Sequence, residues 1–107
     1  MAEVIELTDA NFEEFLSSHE GAVVDFYAKW CMPCRMMEPA LKSAAGEFDG
    51  RVGFGRLNVD SAPVASSTYG IRSIPTLIFF RRGQPVEQLV GVRPKSQIAD
   101  RAKNLTA

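Results

Sequence analysis

Cysteine is nearly absent from this chain, two in 107 residues, and without further partners Cys31 and Cys34 cannot be part of a disulfide framework. Histidine is scarcer still. The single imidazole, His19, lies in another segment, so the cysteine pair lacks the ligands of a zinc site and no metal is expected. Long apolar runs are missing too: the longest, residues 76–80, is the size of a strand and far short of a membrane span. Neither sign of charge is in excess. Twelve Lys and Arg against 13 Asp and Glu leave a net charge of −1, which removes any electrostatic reason to expect nucleic acid or a membrane surface as partner. No basic stretch followed by an apolar run opens the chain, and no repeat or linker-like tract interrupts it. Two cysteines and no visible leader point to a reducing cytoplasm, where such a pair is catalytic more often than structural.

What is present fits one α/β domain over residues 1–107, with 46% hydrophobic residues to fill a core. Residues 3–7 read as a short alternating strand. Thr8 is placed to cap a helix through Ser18 that turns Phe12, Phe15 and Leu16 inward, and Gly21 ends that segment. Residues 22–28 are apolar on both alternations, as in a central strand covered on both faces. A helix over 31–48 carries Met36, Met37, Leu41, Ala44, Ala45 and Phe48, with Pro39 inside it. A strand over 52–59, weakened by Gly53 and Gly55, precedes a short helix over 62–69. Strands over 76–80 and 85–90 flank Arg81-Arg82-Gly83-Gln84, a hairpin signal, and Pro94 opens a last helix to about Asn104. The order βαβαβαββα predicts a mixed five-stranded central sheet flanked by four helices, on both faces.

The cysteines sit three positions apart in Trp30-Cys31-Met32-Pro33-Cys34-Arg35, where a strand gives way to a helix. Unpaired N–H groups and the helix dipole at such a terminus stabilise a thiolate on Cys31, and Lys29 and Arg35 add positive charge. Cys34, one turn on and less exposed, can reach the Cys31 sulfur, with Pro33 fixing the backbone between them. This is an arrangement for reversible disulfide chemistry; half a metal site is the alternative reading. Asp25 interrupts an apolar strand six residues before Cys31. It is either a solvated aspartate at a strand end or a buried carboxylate, its pKa raised, that accepts the Cys34 proton. Ile74-Pro75-Thr76 is either a trans proline opening a strand or a cis-proline turn beside the thiols. Trp30 fits the core or a cover over the cysteines, and Gly91 fits a turn or a close approach by a partner's backbone.

Asp25, Trp30-Cys31-Met32-Pro33-Cys34, Pro39, the segment Tyr69-Gly70-Ile71-Arg72-Ser73-Ile74-Pro75-Thr76, and Gly91 occur in this order, and the chain as a whole resembles the thioredoxin family. The resemblance implies the thioredoxin fold, Cys31 as attacking and Cys34 as resolving cysteine, Asp25 as the buried carboxylate and Pro75 as a cis-proline. It implies a substrate-facing apolar patch at Trp30, Met32, Pro33, Ile74, Pro75, Val90, Gly91 and Val92. Met32 stands where the family usually has glycine, Arg35 where it has lysine, Tyr27 where tryptophan is frequent and Ser73 where glycine is. Arg56 takes the place of a lysine beside the buried aspartate; always charged, it could hold Asp25 ionised but is a poor proton relay.

The function implied is reduction of disulfides in protein substrates by a monomer. No Gly-rich nucleotide fingerprint is present, so no cofactor is expected and regeneration falls to a thioredoxin reductase. An oxidase or isomerase on the same fold is a second reading, disfavoured by Pro33 where such relatives often have histidine. A redox-silent binding module, or a dimer sharing a metal between two cysteine pairs, is a third.

Overall fold

In the computed structural model, which describes residues 3–48 and 50–106, alternating and helical periodicities resolve into β1 (Val4–Leu7), α1 (Phe12–Ser17), β2 (Gly21–Tyr27), α2 (Met32–Ala45), β3 (Val52–Asn58), α3 (Pro63–Thr68), β4 (Thr76–Arg81), β5 (Gln84–Val90) and α4 (Lys95–Lys103). One sheet runs β1-β3-β2-β4-β5. The first three strands are parallel, while β4 is antiparallel to both β2 and β5. The mixed five-stranded sheet is as expected, and β2 lies at its centre, buried at every position.

Strand alternation sorts the core into two layers. Ala22, Val24 and Phe26 face Phe12, Phe15 and Leu16 of α1 and Ala65 of α3. Val23 faces Met37, Leu41, Ala44 and Ala45 of α2 and Ile98, Ala99 and Ala102 of α4. Each large side chain so buried contributes roughly 1.5–3 kcal/mol. Asp25 shares the Val23 parity and therefore points beneath α2. That single fact positions the site.

Several boundaries differ from expectation for local reasons. Thr8 does not cap α1. Its N–H donates to Asn11 Oδ1 at 2.7 Å and its hydroxyl accepts from the Ala10 N–H, closing a turn that delays the helix to Phe12. Asn11 also donates back to the Glu6 carbonyl, so it makes no side-chain bond to the helix it precedes. Gly21 begins β2 instead of merely ending the preceding segment. α2 stops at Ala45 and tight turns carry the chain through Phe48. Pro94 is the N-cap of α4, not part of its first turn. The glycines of β3 are places of close approach: a Cβ on Gly53 would lie 2.7 Å from the His19 ring, and one on Gly55 2.5 Å from Leu7 Cδ1. Among the described residues no helix is long and apolar enough to cross a membrane.

Candidate active site

β2 ends at Tyr27, and Ala28, Lys29 and Trp30 lead directly to Cys31, which occupies the N-cap of α2 with extended backbone. Pro33 sits in the first turn, where proline's missing N–H costs nothing. The N-cap group here is sulfur: the Cys34 backbone N–H donates to Cys31 Sγ at 3.2 Å. That donor and the helix dipole are aimed where negative charge develops when the sulfur is freed as thiolate. Cys31 and Cys34 are joined as a disulfide, their Cα atoms 5.3 Å apart, within the usual span of such a bond. The expected difference in exposure is not seen. Both residues are 4% exposed, because the bridge turns both sulfurs into a cluster with Tyr27 and Ala28, against which Val59 and Ile74 pack.

The Ile74–Pro75 peptide is cis. The Ile74 carbonyl oxygen lies 3.9 Å from Cys31 Sγ, and the Pro75 carbonyl accepts from the Gly91 N–H at 2.8 Å. Gly91 has φ of 96°, a conformation that favours glycine. These contacts bring Ile74, Pro75 and Gly91 together beside the disulfide, flanked by exposed Val90 and Val92. Trp30 is surface, not core: it is 71% exposed and its indole N–H donates to Asp60 Oδ2 at 2.8 Å. Met32 is 61% exposed. Of the two adjacent methionines on α2, Met36 is exposed as well, while Met37 is buried and its sulfur accepts from the Arg93 N–H.

Asp25 is a buried carboxyl, not a solvated one. A cavity of about 320 Å³ runs between it and Cys34, lined also by Tyr27, Lys29, Arg35, Glu38 and Arg56. Burial raises the Asp25 pKa from 3.8 to about 7; the positive charge of Arg56 opposes this and the negative charges of Glu38 and Glu6 assist it. Arg56 therefore favours the ionised form of Asp25 but does not offset its burial. It lies opposite Asp25 in the sheet register, yet its guanidinium is bound to Glu38 and Glu6 and stacked on the Tyr27 ring. Among the described residues no group of three or more His, Cys, Asp or Glu is gathered to hold a metal ion.

Sequence reasoning missed Asp60, Glu6 and Glu38. Glu38 was open to detection, standing one helical turn beyond Cys34 on the same face. Asp60 and Glu6 gave no local signal, because each meets its partner only through the sheet order.

Known proteins match this frame. The thioredoxin family model matches residues 3–104. A thioredoxin of Alicyclobacillus acidocaldarius subsp. acidocaldarius is 49% identical over 92 residues, 86% of this chain and 88% of that protein. Thioredoxin 2 of Chlorobaculum tepidum is 46% identical over 95 residues, 88% of this chain and 87% of that protein. Among solved structures, a mutant thioredoxin from Halobacterium salinarum NRC-1 aligns with a TM-score of 0.89 and 29% identity, over 98% of this chain and 92% of that one.

Proposed function

The chain belongs to the thioredoxin family of protein-disulfide oxidoreductases, and from that premise we propose how its residues divide the dithiol–disulfide exchange and in which direction they run it. The family relationship implies disulfide substrates and a reductase that regenerates the dithiol form.

Cys31 thiolate attacks one sulfur of a substrate disulfide. A Cys31–substrate bond forms, the substrate's own S–S bond breaks, and its electron pair leaves on the second substrate sulfur, which takes up a proton. Cys34 then gives its proton to Asp25 and attacks Cys31 Sγ. The internal disulfide forms as the Cys31–substrate bond breaks, its electron pair leaving on the first substrate sulfur, and the substrate departs reduced by two electrons, the protein correspondingly oxidised. The observation that carries this reading is the pairing of an N-terminal helix N–H on Cys31 Sγ with a buried carboxyl, its pKa raised to about 7, across the cavity from Cys34, so that its carboxylate form is a stronger base than an ordinary aspartate.

Trp30, Met32, Pro33, Ile74, Pro75, Val90, Gly91 and Val92 form the surface that receives the substrate. Its support is the exposure of Trp30, Met32, Val90 and Val92 around a bridge whose sulfurs are themselves nearly covered. An extended substrate strand pairs with the backbone beside Pro75. Pro33 before Cys34 favours a reductant over an oxidase, and a reductant fits work in the cytoplasm. We take residues 1–107 as one thioredoxin domain acting as a monomer, without a bound cofactor or metal, on proteins and not on nucleic acid or membranes.

An insulin-type reduction assay tests the assignment. Cys34→Ser is expected to accumulate the mixed disulfide and Cys31→Ser to be inactive. Full turnover by Cys31→Ser overturns it.

A further inference from the structure

Arg56 and Asp25 face each other across neighbouring parallel strands, and both line the cavity that leads to Cys34. An arginine so placed would ordinarily fork onto the carboxylate. It does not. No ion pair joins them among the described residues, and Asp25 Oδ1 has no hydrogen-bond partner. The guanidinium is held elsewhere at three points. One terminal nitrogen donates to Glu38 Oε2, Nε forms an ion pair with Glu6 Oε1 at 3.3 Å without a hydrogen bond, and Cζ stands 4.0 Å above the Tyr27 ring centroid. Glu6 is itself fixed, accepting from the Tyr27 hydroxyl at 2.6 Å through its other oxygen.

We infer that Glu6 and Glu38 act together as positioning residues that hold Arg56 against Tyr27 and away from Asp25, leaving the aspartate free to receive the Cys34 proton. The inference rests on the proposed role of Asp25 and adds what makes that role compatible with an arginine at position 56. A carboxylate paired with arginine stays ionised and is a weak base, so a guanidinium released onto Asp25 would disable it. The remaining charged and titratable groups around Asp25 are Tyr27 on its own strand, Lys29 in the following loop, and Cys34 and Arg35 on α2. β4 contributes only Leu77 opposite Asp25. Lys29 and Arg35 are exposed, which leaves Arg56 as the partly buried cation that the clamp must control.

The test follows the Asp25 carboxyl carbon by NMR titration of the oxidised protein. In the double variant Glu6→Gln, Glu38→Gln, the Asp25 midpoint is expected to fall by about one pH unit or more as Arg56 turns onto it. In an Arg56→Met background the same pair of substitutions should move the midpoint by less than about half as much, leaving only the loss of direct repulsion. Equal displacements in the two backgrounds, or none in either, overturn the inference. Should Arg56→Met fail to fold, a crystal structure of the double variant decides. A guanidinium within about 4 Å of Asp25 supports the clamp, and one still stacked on Tyr27 overturns it. Because no substrate or thiol is present, this outcome is independent of whether Asp25 takes the Cys34 proton. That separate reading fails if Asp25→Asn releases the mixed disulfide at the parent's rate.

Discussion

Replacing Asp25 with asparagine removes an ionisation the fold resists, and the size of the effect follows from the burial. The residue is 4% exposed in the central strand, and its carboxyl is pushed from 3.8 to about 7 chiefly by loss of solvent. A folded-state pKa above the unfolded one means that the native protein binds the proton more tightly. Below about pH 4 both states are protonated and burial of the acid carries no pH-dependent cost. Between there and about pH 7 the unfolded chain ionises while the native state does not, so stability falls by about 1.4 kcal/mol per pH unit. Above about pH 7 both are ionised, and the accumulated cost levels off at about 4 kcal/mol.

Asparagine has nearly the shape of the protonated acid and no charge to bury. Asp25→Asn is therefore expected to match the parent within about 1 kcal/mol near pH 4 and to exceed it by about 4 kcal/mol near pH 8. Urea unfolding of the oxidised parent and variant, at pH steps between these limits, reads the difference directly, and titrations shared by both proteins cancel in it. A difference that stays constant with pH, or an asparagine variant less stable than the parent near pH 8, would refute the reasoning.

The bond from Trp30 to Asp60 fixes the exposed indole, so Asp60→Ala should raise KM for a protein disulfide by about fivefold, the equivalent of about 1 kcal/mol, while reduction of the protein by dithiothreitol is unaffected. An unchanged KM would show that the indole needs no tether. Gly55→Ala drives a methyl group into Leu7 and Phe15 and should lower stability by about 1–3 kcal/mol in urea; an unmoved midpoint would mean that β1 and α1 give way freely. Met32→Gly removes an exposed thioether beside Cys31, worth up to about 2 kcal/mol where a partner buries it. With a panel of reductases, kcat/KM should fall for some and not for others, and identical values across the panel would remove any role for Met32.

The chemistry was legible in the sequence because it is carried by order and spacing: Asp25 at the middle of an apolar strand, the cysteine pair after it, and Ile74-Pro75 ahead of the next apolar run. The elements were legible for the same reason, since alternation and helical periodicity are local. Their ends were not. Asn11 spends its side chain on the Glu6 carbonyl and the Thr8 N–H, a choice made by β1 and invisible in the helix pattern it was expected to follow. The company of Arg56 was equally hidden. The family resemblance suggested Asp25 as its partner, and the register does place them side by side. Glu6 reaches Arg56 only because β1 lies on the far side of β3, an order fixed by parallel crossovers and not by any residue nearby.

Exposed apolar side chains occur on several elements, Ile5, Val64 and Val86 among them, but near the disulfide they stand beside a buried acid. β2 is closed to solvent along its whole length and yet carries an acid with an unsatisfied oxygen. Within a dozen residues of that acid, Trp30, Met32 and Met36 stand exposed at the start of a helix whose other large apolar residues, Met37 and Leu41, are buried. In the proposed mechanism those beside the sulfur pair are complementary, the buried carboxylate taking a proton on the inner side and the apolar surface holding a partner on the outer. Of the cations lining the cavity, Lys29 and Arg35 are exposed, and Arg56, partly buried, is the one that works against this arrangement. Its confinement between two glutamates and a tyrosine ring is what allows the buried carboxyl and the arginine to occupy neighbouring strands without cancelling each other.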